Sequence, residues 1–239
     1  MGETMNRVRV VLFLKVTFCT LLVLVVSILL TKLVGYFGQP SAQVRNVRDP
    51  EGERILDISR LPTKGNINAK VILAEFSDYE CPYCSRHAQG TAIELEEKYV
   101  RSGKVRLAFV NNPLAMHHNA RMLAKVAICA GRQNRYWEMH DILFREKPKT
   151  AAEAIAIAEK LEINRPHFRA CFEANGDVEK DIDNDLAKAR EFQLNGTPSF
   201  AIGTLNNQGK VRIHKFILGA VSVEIFEKYI NETLAKPLS

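Results

Sequence analysis

The chain has 239 residues, of which 46% are hydrophobic and 25% are charged. This composition excludes a disordered or fibrous protein, and the length fits one large domain or two small ones. The net charge of +6 does not indicate a nucleic-acid binder, because residues 1–41 supply half of it and residues 42–239 carry only +3, with no basic run that contains aromatic side chains.

An apolar segment near the N-terminus predicts a membrane anchor. Residues 16–31 contain no charged side chain, and apolar residues extend the segment from Val10 to Phe37. Lys15 and Lys32 would reach the two membrane interfaces, and the excess of positive residues before the segment places the N-terminus in the cytoplasm. We therefore expect residues 1–37 to form an N-terminal transmembrane helix that holds the rest of the chain outside. A cleaved secretory signal peptide is the alternative, although the small-residue cleavage pattern is poor.

The next elements follow in chain order as a linker, a strand, a helix and a second strand. Residues 38–65 are polar and punctuated by Pro and Gly, which is typical of a linker with at most one short strand or turn near residues 55–61. The nearly continuous apolar run at residues 71–76 predicts a buried strand. A helix is predicted over residues 82–101, and a strand over residues 105–110.

The second half of the chain is predicted to be a helical block followed by two strands and a helix. Apolar residues recur at helical spacing throughout residues 116–192. Strand patterns return at 199–202 and 211–217, and an amphipathic helix ends the chain at 223–234. The predicted class is therefore α/β, with domain parts at residues 66–113 and 195–239 separated by an all-helical insertion at 114–194.

The segment Cys81-Pro82-Tyr83-Cys84 follows the first strand and begins the first long helix. The thiolate is the reactive form of cysteine, and a helix N-terminus favours negative charge. Pro suits the first helical position because it has no N–H group to leave unpaired. Two intervening residues keep the sulfurs within disulfide reach, so we predict that Cys81 is the nucleophile and Cys84 the resolving thiol.

The alternatives for this motif are half of a zinc site or two inert cysteines. Zinc needs two further ligands, and no second such cysteine pair exists in the chain. His87 follows Cys84 by three residues and is expected on the helix surface. Copper binding by Met116-His117-His118 is a weaker possibility. We expect no metal site and no cofactor.

These motifs resemble thioredoxin-fold proteins of the DsbA type. Residues 76–84 form the first hallmark, and Gly196-Thr197-Pro198-Ser199-Phe200 matches the second, a loop whose proline is cis in that family. The block at residues 116–192, with Tyr136-Trp137-Glu138-Met139-His140-Asp141, resembles the family's helical insertion. The resemblance implies a thioredoxin fold with this insertion, and a substrate-binding surface formed by Thr197, Pro198, Pro82 and Tyr83.

Glu75 is a charged residue within an apolar strand, six positions before Cys81. The family tends to place a buried acid there, beneath the active site. A buried carboxyl with a raised pKa can carry the proton that Cys84 loses or gains. We predict that catalytic role for Glu75; a strand-edge residue facing solvent is the alternative.

The predicted function is an exported, membrane-tethered thiol–disulfide oxidoreductase that introduces or exchanges disulfides in folding exported proteins. The resemblance implies a quinone-linked membrane partner of the DsbB or VKOR kind as the reoxidant, and the linker is too short for a separate dimerisation domain, which favours a monomer. The Pro-Tyr dipeptide and Thr197 also occur in reducing and isomerising relatives. A reductase or isomerase served by a membrane electron donor is therefore the close alternative, and a peptide-binding chaperone or metal-handling module is an alternative of a different class.

Two further cysteines lie in the helical block. Cys129 and Cys171 have apolar neighbours, and an oxidising compartment tends to pair buried thiols where geometry permits. Some DsbA-like relatives also carry a bond in this region. We predict a structural Cys129–Cys171 disulfide, with two separate buried thiols as the alternative.

Overall fold

A computed structural model describes residues 18–28, 43–46, 53–174 and 176–236. The chain divides into two units, Met1–Ser41 and Ala42–Ser239. In the first unit, residues 18–28 are helical.

The predicted transmembrane helix over residues 10–37 is wrong. Within the described ranges, no helix is both long enough and apolar enough to cross a membrane. Residues 18–28 would extend about 16 Å at the rise of an α-helix, against a hydrocarbon thickness of about 30 Å. The other residues of the predicted span, and the candidate cleavage site at residues 40–42, lie outside the described residues.

The second unit is built on a mixed sheet of seven strands. The strands are β1 (Gln43–Asn46), β2 (Ile55–Asp57), β3 (Thr63–Lys64), β4 (Val71–Ser77), β5 (Val105–Asn111), β6 (Ser199–Leu205) and β7 (Lys210–Leu218). Their order is β1-β7-β6-β4-β5-β3, and β2 also pairs with β7. The central strand β4 runs parallel to β5 and antiparallel to β6. Because β4 is covered on both faces, its side chains are apolar almost throughout.

Eight helices and one π-helical turn are described in this unit. The helices are α1 (Pro82–Ala88), α2 (Thr91–Leu95), α3 (Ala120–Gly131), α4 (Tyr136–Glu146), α5 (Ala151–Ala158), α6 (Arg165–Glu173), α7 (Asp177–Glu191) and α8 (Val223–Leu234), and the π-helical turn is Glu96–Val100. Helices α3 to α7 form the insertion between β5 and β6. The β-α-β order, the helical insertion and the final β-β-α order agree with the predicted thioredoxin-type α/β fold.

The insertion packs against the sheet through aromatic side chains. Tyr79, in the loop after β4, is 2% exposed and stacks on Phe109 of β5 with ring centroids 5.4 Å apart. Its hydroxyl lies 3.1 Å from the hydroxyl of Tyr136 and 3.2 Å from Nδ1 of His140, both on α4. Buried polar groups need such partners. The loop that leads to Cys81 is therefore held between the sheet and the insertion.

Two regions differ from the sequence-based expectation. The predicted linker contributes β1, β2 and β3 to the sheet, including three residue pairs between Ile55–Asp57 and β7. The predicted helix over residues 82–101 is interrupted at Gln89 and Gly90, and its last part is π-helical. Gly90 has φ −134° and ψ −96°, outside the helical region, so the helix ends there and a second one begins at Thr91.

Candidate active site

Cys81 lies at the start of α1, directly after the loop that follows β4. Its φ of −71° and ψ of 124° are extended, and Pro82 occupies the first turn of the helix. The N–H of Cys81 donates to the carbonyl of Asp78 at 3.1 Å, while its own carbonyl accepts the N–H of Ser85 at 3.1 Å. The Cys81 sulfur is thus placed beside backbone N–H groups that have no partner inside the helix.

This position makes the Cys81 thiol acidic. A hydrogen bond with the Cys84 side chain is the largest cause that lowers its pKa, and the pKa falls to about 6 although burial opposes the shift. Hydrogen bonding by Thr197 and by the backbone N–H groups of Cys84 and Tyr83 lowers the pKa further. A free cysteine titrates near about 8.5, so Cys81 is mainly a thiolate at neutral pH.

Cys84 has the opposite character. Both cysteines are free thiols in this structure, and Cys84 is completely buried. Burial raises the pKa of Cys84, and its hydrogen bond to Cys81 and the charge of that residue raise it further. Cys81 is 3% exposed, so one helical turn holds a thiolate at the helix N-terminus and a fully buried, protonated thiol.

The loop before β6 closes the site on the other side. The Thr197–Pro198 peptide bond is cis, and the Thr197 carbonyl oxygen lies 3.4 Å from Sγ of Cys81. The carbonyl of Pro198 accepts the N–H of Gly219 at 2.8 Å, which ties the loop to the end of β7. The Thr197 hydroxyl is buried and has no hydrogen-bond partner among the described residues. The loop thus contributes backbone and hydroxyl groups directly beside the nucleophilic sulfur.

Glu75 lies on β4 beneath the two cysteines. Burial raises its pKa to about 7, and the neighbouring Ser77 hydroxyl opposes the shift. Its Oε1 atom has no hydrogen-bond partner among the described residues. The charge of Glu75 also contributes to the raised pKa of Cys84, so the two groups interact electrostatically. The alternative of a solvent-facing strand residue does not fit this environment.

His87 is a residue of this site whose placement the sequence reasoning missed. It was expected on the helix surface, but it is 3% exposed and packs against Phe200 and Phe226 at ring distances of 4.6 and 5.5 Å. Its Nε2 atom lies 3.7 Å from Oε2 of Glu75. Burial lowers the pKa of His87 to about 3, so the imidazole is neutral. Its spacing of three residues from Cys84 was the available signal, because that spacing places both side chains on one helical face.

The predicted substrate-binding residues surround the Cys81 sulfur. Pro82 is exposed and Tyr83 is 50% exposed, with the guanidinium carbon of Arg86 4.9 Å from the Tyr83 ring centroid. Pro198 is buried and Thr197 is half-buried. An exposed aromatic ring and the cis-proline loop therefore lie on the two sides of the redox pair.

The remaining pair of predicted cysteines lies in the insertion. Cys129 on α3 and Cys171 on α6 form a disulfide with a Cα–Cα distance of 5.7 Å. Within the part of the chain that the structure describes, no group of three or more His, Cys, Asp or Glu residues has the arrangement of a metal site. His117, one of the residues considered for copper, donates to or accepts from Asp78 at 2.8 Å.

Comparison with known proteins matches residues 60–217 to the family described as thioredoxin. The chain is 30% identical over 173 residues to the Na(+)/H(+) antiporter NhaA 3 of Salinispora tropica, a match that covers 70% of this chain and 25% of the antiporter. The chain thus spans about a quarter of the length of the antiporter relatives. It is also 24% identical over 180 residues to the probable disulfide bond formation protein D of Bacillus cereus, covering 71% of this chain and 83% of that protein.

Solved structures with the same fold include a thiol–disulfide exchange protein and the oxidised BdbD protein. The α-DsbA2 protein of Wolbachia pipientis matches with a TM-score of 0.59 and 23% identity, over 72% of this chain and 86% of that one. Oxidised BdbD of Bacillus subtilis matches with a TM-score of 0.60 and 17% identity, over 74% and 94%. These comparisons confirm the resemblance to DsbA-like proteins that was predicted from the two motifs.

Proposed function

The chain belongs to the thioredoxin family, and from this premise we propose that it is an exported thiol–disulfide oxidoreductase that introduces disulfides into folding proteins through Cys81 and Cys84. One observation carries the proposal. A thiol with a pKa lowered to about 6 begins a helix, 3.4 Å from the carbonyl of a cis-proline loop, while its buried partner in the same turn stays protonated. A metal site or an inert cysteine pair has no need for this asymmetry.

In the proposed reaction the oxidised enzyme holds a Cys81–Cys84 bond. A substrate thiolate attacks Sγ of Cys81, the Cys81–Cys84 bond breaks, and Cys84 leaves as a thiolate. A second substrate thiolate then attacks the substrate sulfur of the mixed disulfide and releases Cys81. The substrate loses two electrons and gains a disulfide, and the enzyme becomes a dithiol. The low pKa of Cys81 makes it a good leaving group in this second step.

Glu75 supplies the proton that Cys84 requires in the first step. The Cys84 thiolate is buried and takes a proton readily, because its pKa is raised. A carboxyl with a pKa of about 7 holds a proton in about half of the molecules at neutral pH. Glu75 also borders a cavity of about 390 Å³ whose lining includes Lys64, Glu96 and Asp141. Water in this cavity would return the proton to Glu75 without passing through the substrate side.

The substrate is proposed to be an extended polypeptide. The cis-proline loop presents backbone groups beside Cys81, which suits pairing with the main chain of a peptide. The exposed Tyr83 ring and Pro82 form an apolar surface next to the redox pair. Such a surface can contact many different substrate side chains. This arrangement supports broad use of unfolded substrates.

Export is supported by the disulfide of the insertion. Structural disulfides persist in oxidising compartments and are rare in the cytosol, and Cys129 and Cys171 form such a bond far along the chain from the reactive pair. We place the active domain outside the cytoplasm for this reason. A redox partner of the DsbB or VKOR kind in the membrane, as the family resemblance implies, would then reoxidise the dithiol.

The test is oxidative refolding of a reduced, unfolded ribonuclease by stoichiometric oxidised protein. We expect the wild-type protein to transfer about one disulfide per molecule, and Cys81→Ser and Cys84→Ser to transfer none. Cys19→Ala is the matched control and should behave as wild type, because Cys19 lies outside the redox pair. Peptide binding that persists in the wild type without any disulfide transfer would instead support the chaperone alternative.

A further inference from the structure

Ser77 is the last residue of β4, two positions after Glu75. Alternate residues of a strand point to the same face, so the Ser77 hydroxyl and the Glu75 carboxyl share one face of the sheet. Ser77 is 1% exposed, and its hydroxyl has no hydrogen-bond partner among the described residues. Folded proteins rarely leave a buried polar group unpaired, so this hydroxyl requires an explanation.

Helix α1 packs against the same face of β4. Cys84 and His87 are three residues apart on α1 and both are buried, so they lie on one side of the helix. Nε2 of His87 lies 3.7 Å from Oε2 of Glu75, which places these two residues at the same level. A short loop joins the end of β4 to the start of α1, so the helix runs back along the strand. Three helical residues rise about 4.5 Å and two strand residues about 6.7 Å, so Cys84 lies level with Ser77.

Glu75 makes no hydrogen bond to Cys84 in the structure. Its Oε1 atom has no partner among the described residues, and its Oε2 atom faces His87. Burial is the main cause that raises the pKa of Cys84, and the Ser77 hydroxyl acts in the opposite direction. The same hydroxyl opposes the rise that burial causes in the pKa of Glu75. Ser77 is therefore a neighbour of both groups between which the proton must move.

We propose that Ser77 is the proton-relay residue between Glu75 and Cys84: its hydroxyl takes the carboxyl proton of Glu75 while it gives its own proton to the Cys84 thiolate. The O–H bond of Glu75 breaks and one forms on Ser77, whereas the former O–H bond of Ser77 breaks and an S–H bond forms on Cys84. The negative charge moves from the sulfur to the carboxylate, and Ser77 is unchanged. A hydroxyl suits this step because it donates and accepts at once. This role rests on the proposed redox function, which requires that proton.

His87 is the other polar neighbour of Glu75, and it is poorly suited to the relay. Its Nε2 atom is 3.7 Å from the carboxylate oxygen, which is longer than a hydrogen bond. Burial lowers its pKa to about 3, so the ring resists taking up a second proton. The ring packs against Phe200 and Phe226 and belongs to the apolar layer under α1.

The experiment measures the rate at which dithiothreitol reduces the Cys81–Cys84 bond at pH 7 in a Cys19→Ala background. Acid quenching, thiol labelling and mass spectrometry of the labelled peptides follow the two cysteines. We expect Ser77→Ala to slow reduction at least about tenfold, because a positioned proton donor contributes about 10²-fold or more. Ser77→Thr retains the hydroxyl and should keep most of the rate. In a Glu75→Gln background, Ser77→Ala should cause no further slowing, because the relay has already lost its proton source.

Ser85→Ala is the matched control. Ser85 is a buried serine that follows Cys84 directly, but its hydroxyl donates to the carbonyl of Phe144 at 3.1 Å. Its loss should lower the free energy of unfolding and leave the rate of reduction unchanged. A loss of stability is thereby separated from a loss of proton transfer.

Reduction of Ser77→Ala at the wild-type rate would overturn the proposal. So would equal slowing with and without Glu75, or a Ser77→Thr variant as slow as Ser77→Ala, because either result would assign the effect to packing. If Ser77→Ala does not fold, Ser77→Thr and Ser77→Val make the same comparison, since they have similar shapes and only Thr has a hydroxyl; equal rates would then overturn it. The reductant is a small thiol, so failed disulfide transfer to ribonuclease with this pattern intact would count against the proposed function and not against Ser77.

Discussion

Cys81 is acidic because its negative charge is shared among several donors. The Cys84 thiol is the main donor, and the first N–H groups of α1 add to it. Each of these donors is fixed before the reaction begins, so no reorganisation is needed when the thiolate forms. The acidity therefore belongs to the turn as a whole and not to one neighbouring cation.

Selective alkylation measures this acidity directly. In the reduced wild-type protein, we expect iodoacetamide at pH 7 to modify Cys81 well before Cys84, with half-maximal reactivity near pH 6. The reason is that only Cys81 is ionised, whereas the pKa of Cys84 is raised by burial. Mapping the modified peptides by mass spectrometry distinguishes the two. A midpoint near about 8.5, or earlier modification of Cys84, would contradict the assignment of nucleophile.

Glu75 should make stability depend on pH. Burial raises its pKa from 4.5 to about 7, so the folded protein favours the neutral carboxyl. The stabilisation from this preference is complete below pH 4.5 and is lost as pH rises through 7, because the unfolded chain then gains more from ionisation. Glu75→Gln cannot ionise. We expect it to match wild type at pH 4.5 and to be more stable than wild type at pH 8, while disulfide transfer slows.

Urea unfolding at both pH values tests this expectation. Glu97→Gln is the control, because the side chain of Glu97 is 67% exposed, and it should show no pH-dependent difference from wild type. Equal destabilisation of Glu75→Gln at pH 4.5 and pH 8 would mean that the carboxyl is needed for packing and carries no raised pKa.

At the scale of single elements, the central strands were predictable because they are buried on both faces. β4 and β5 extend one residue beyond their predicted ends, at Ser77 and Asn111. β2 lies where one short strand or turn was predicted, whereas β1 and β3 were missed because their residues are mostly polar and not buried, and they form strands by pairing with β7 and β5. The hydrophobic periodicity of a segment gives no information about which strands pair with it.

The first helix and its histidine show the same limit. Residues 82–101 are mostly good helix formers, and Gly90, which disfavours a helix interior, was the signal for the break that the periodicity did not show. His87 was expected on the helix surface, but the face that it shares with Cys84 is the buried one. The redox role of the cysteine pair and the position of the cis-proline loop were predictable, because both depend on particular residue types at fixed spacing in the sequence.

The disulfide of the insertion should matter for stability. Cys129 and Cys171 are 42 residues apart, and closing a loop of that length stabilises the folded state by about 4 kcal/mol in the chain-entropy model. We expect Cys129→Ala/Cys171→Ala to lower the free energy of unfolding by an amount of that order and to retain disulfide transfer. Urea unfolding of the oxidised proteins measures the difference. A loss below about 1 kcal/mol would show that the bond constrains the unfolded chain very little.

At the scale of the whole second unit, the redox pair lies where the sheet and the insertion meet. Tyr79 and Asp78 connect the loop before Cys81 to α4 and to the loop of His117. The cis-proline loop approaches from the opposite side, at the end of the insertion. Both halves of the fold are therefore required to hold the sulfur, and this explains why the two motifs are over 100 residues apart in the chain.

The redox state should change the stability of this unit. The folded reduced protein gains from the Cys81 thiolate, and the unfolded chain does not, so reduction of the pair should stabilise the fold. We expect a higher Tm for the reduced than for the oxidised form at pH 7. The Cys129→Ala/Cys171→Ala variant makes the comparison clean, because reductant then acts only on Cys81 and Cys84. A higher Tm for the oxidised form would indicate a pair suited to reducing substrates.

The equilibrium reduction potential of the Cys81–Cys84 pair, measured against glutathione at pH 7, tests the central claim most directly. The potential is governed by how strongly the fold stabilises the reduced dithiol, and the ionised Cys81 provides that stabilisation. We predict a value more oxidising than about −200 mV, towards the −120 mV of a strong disulfide donor. A value near −270 mV, that of a thioredoxin-like reductant, would contradict the proposed direction of electron transfer.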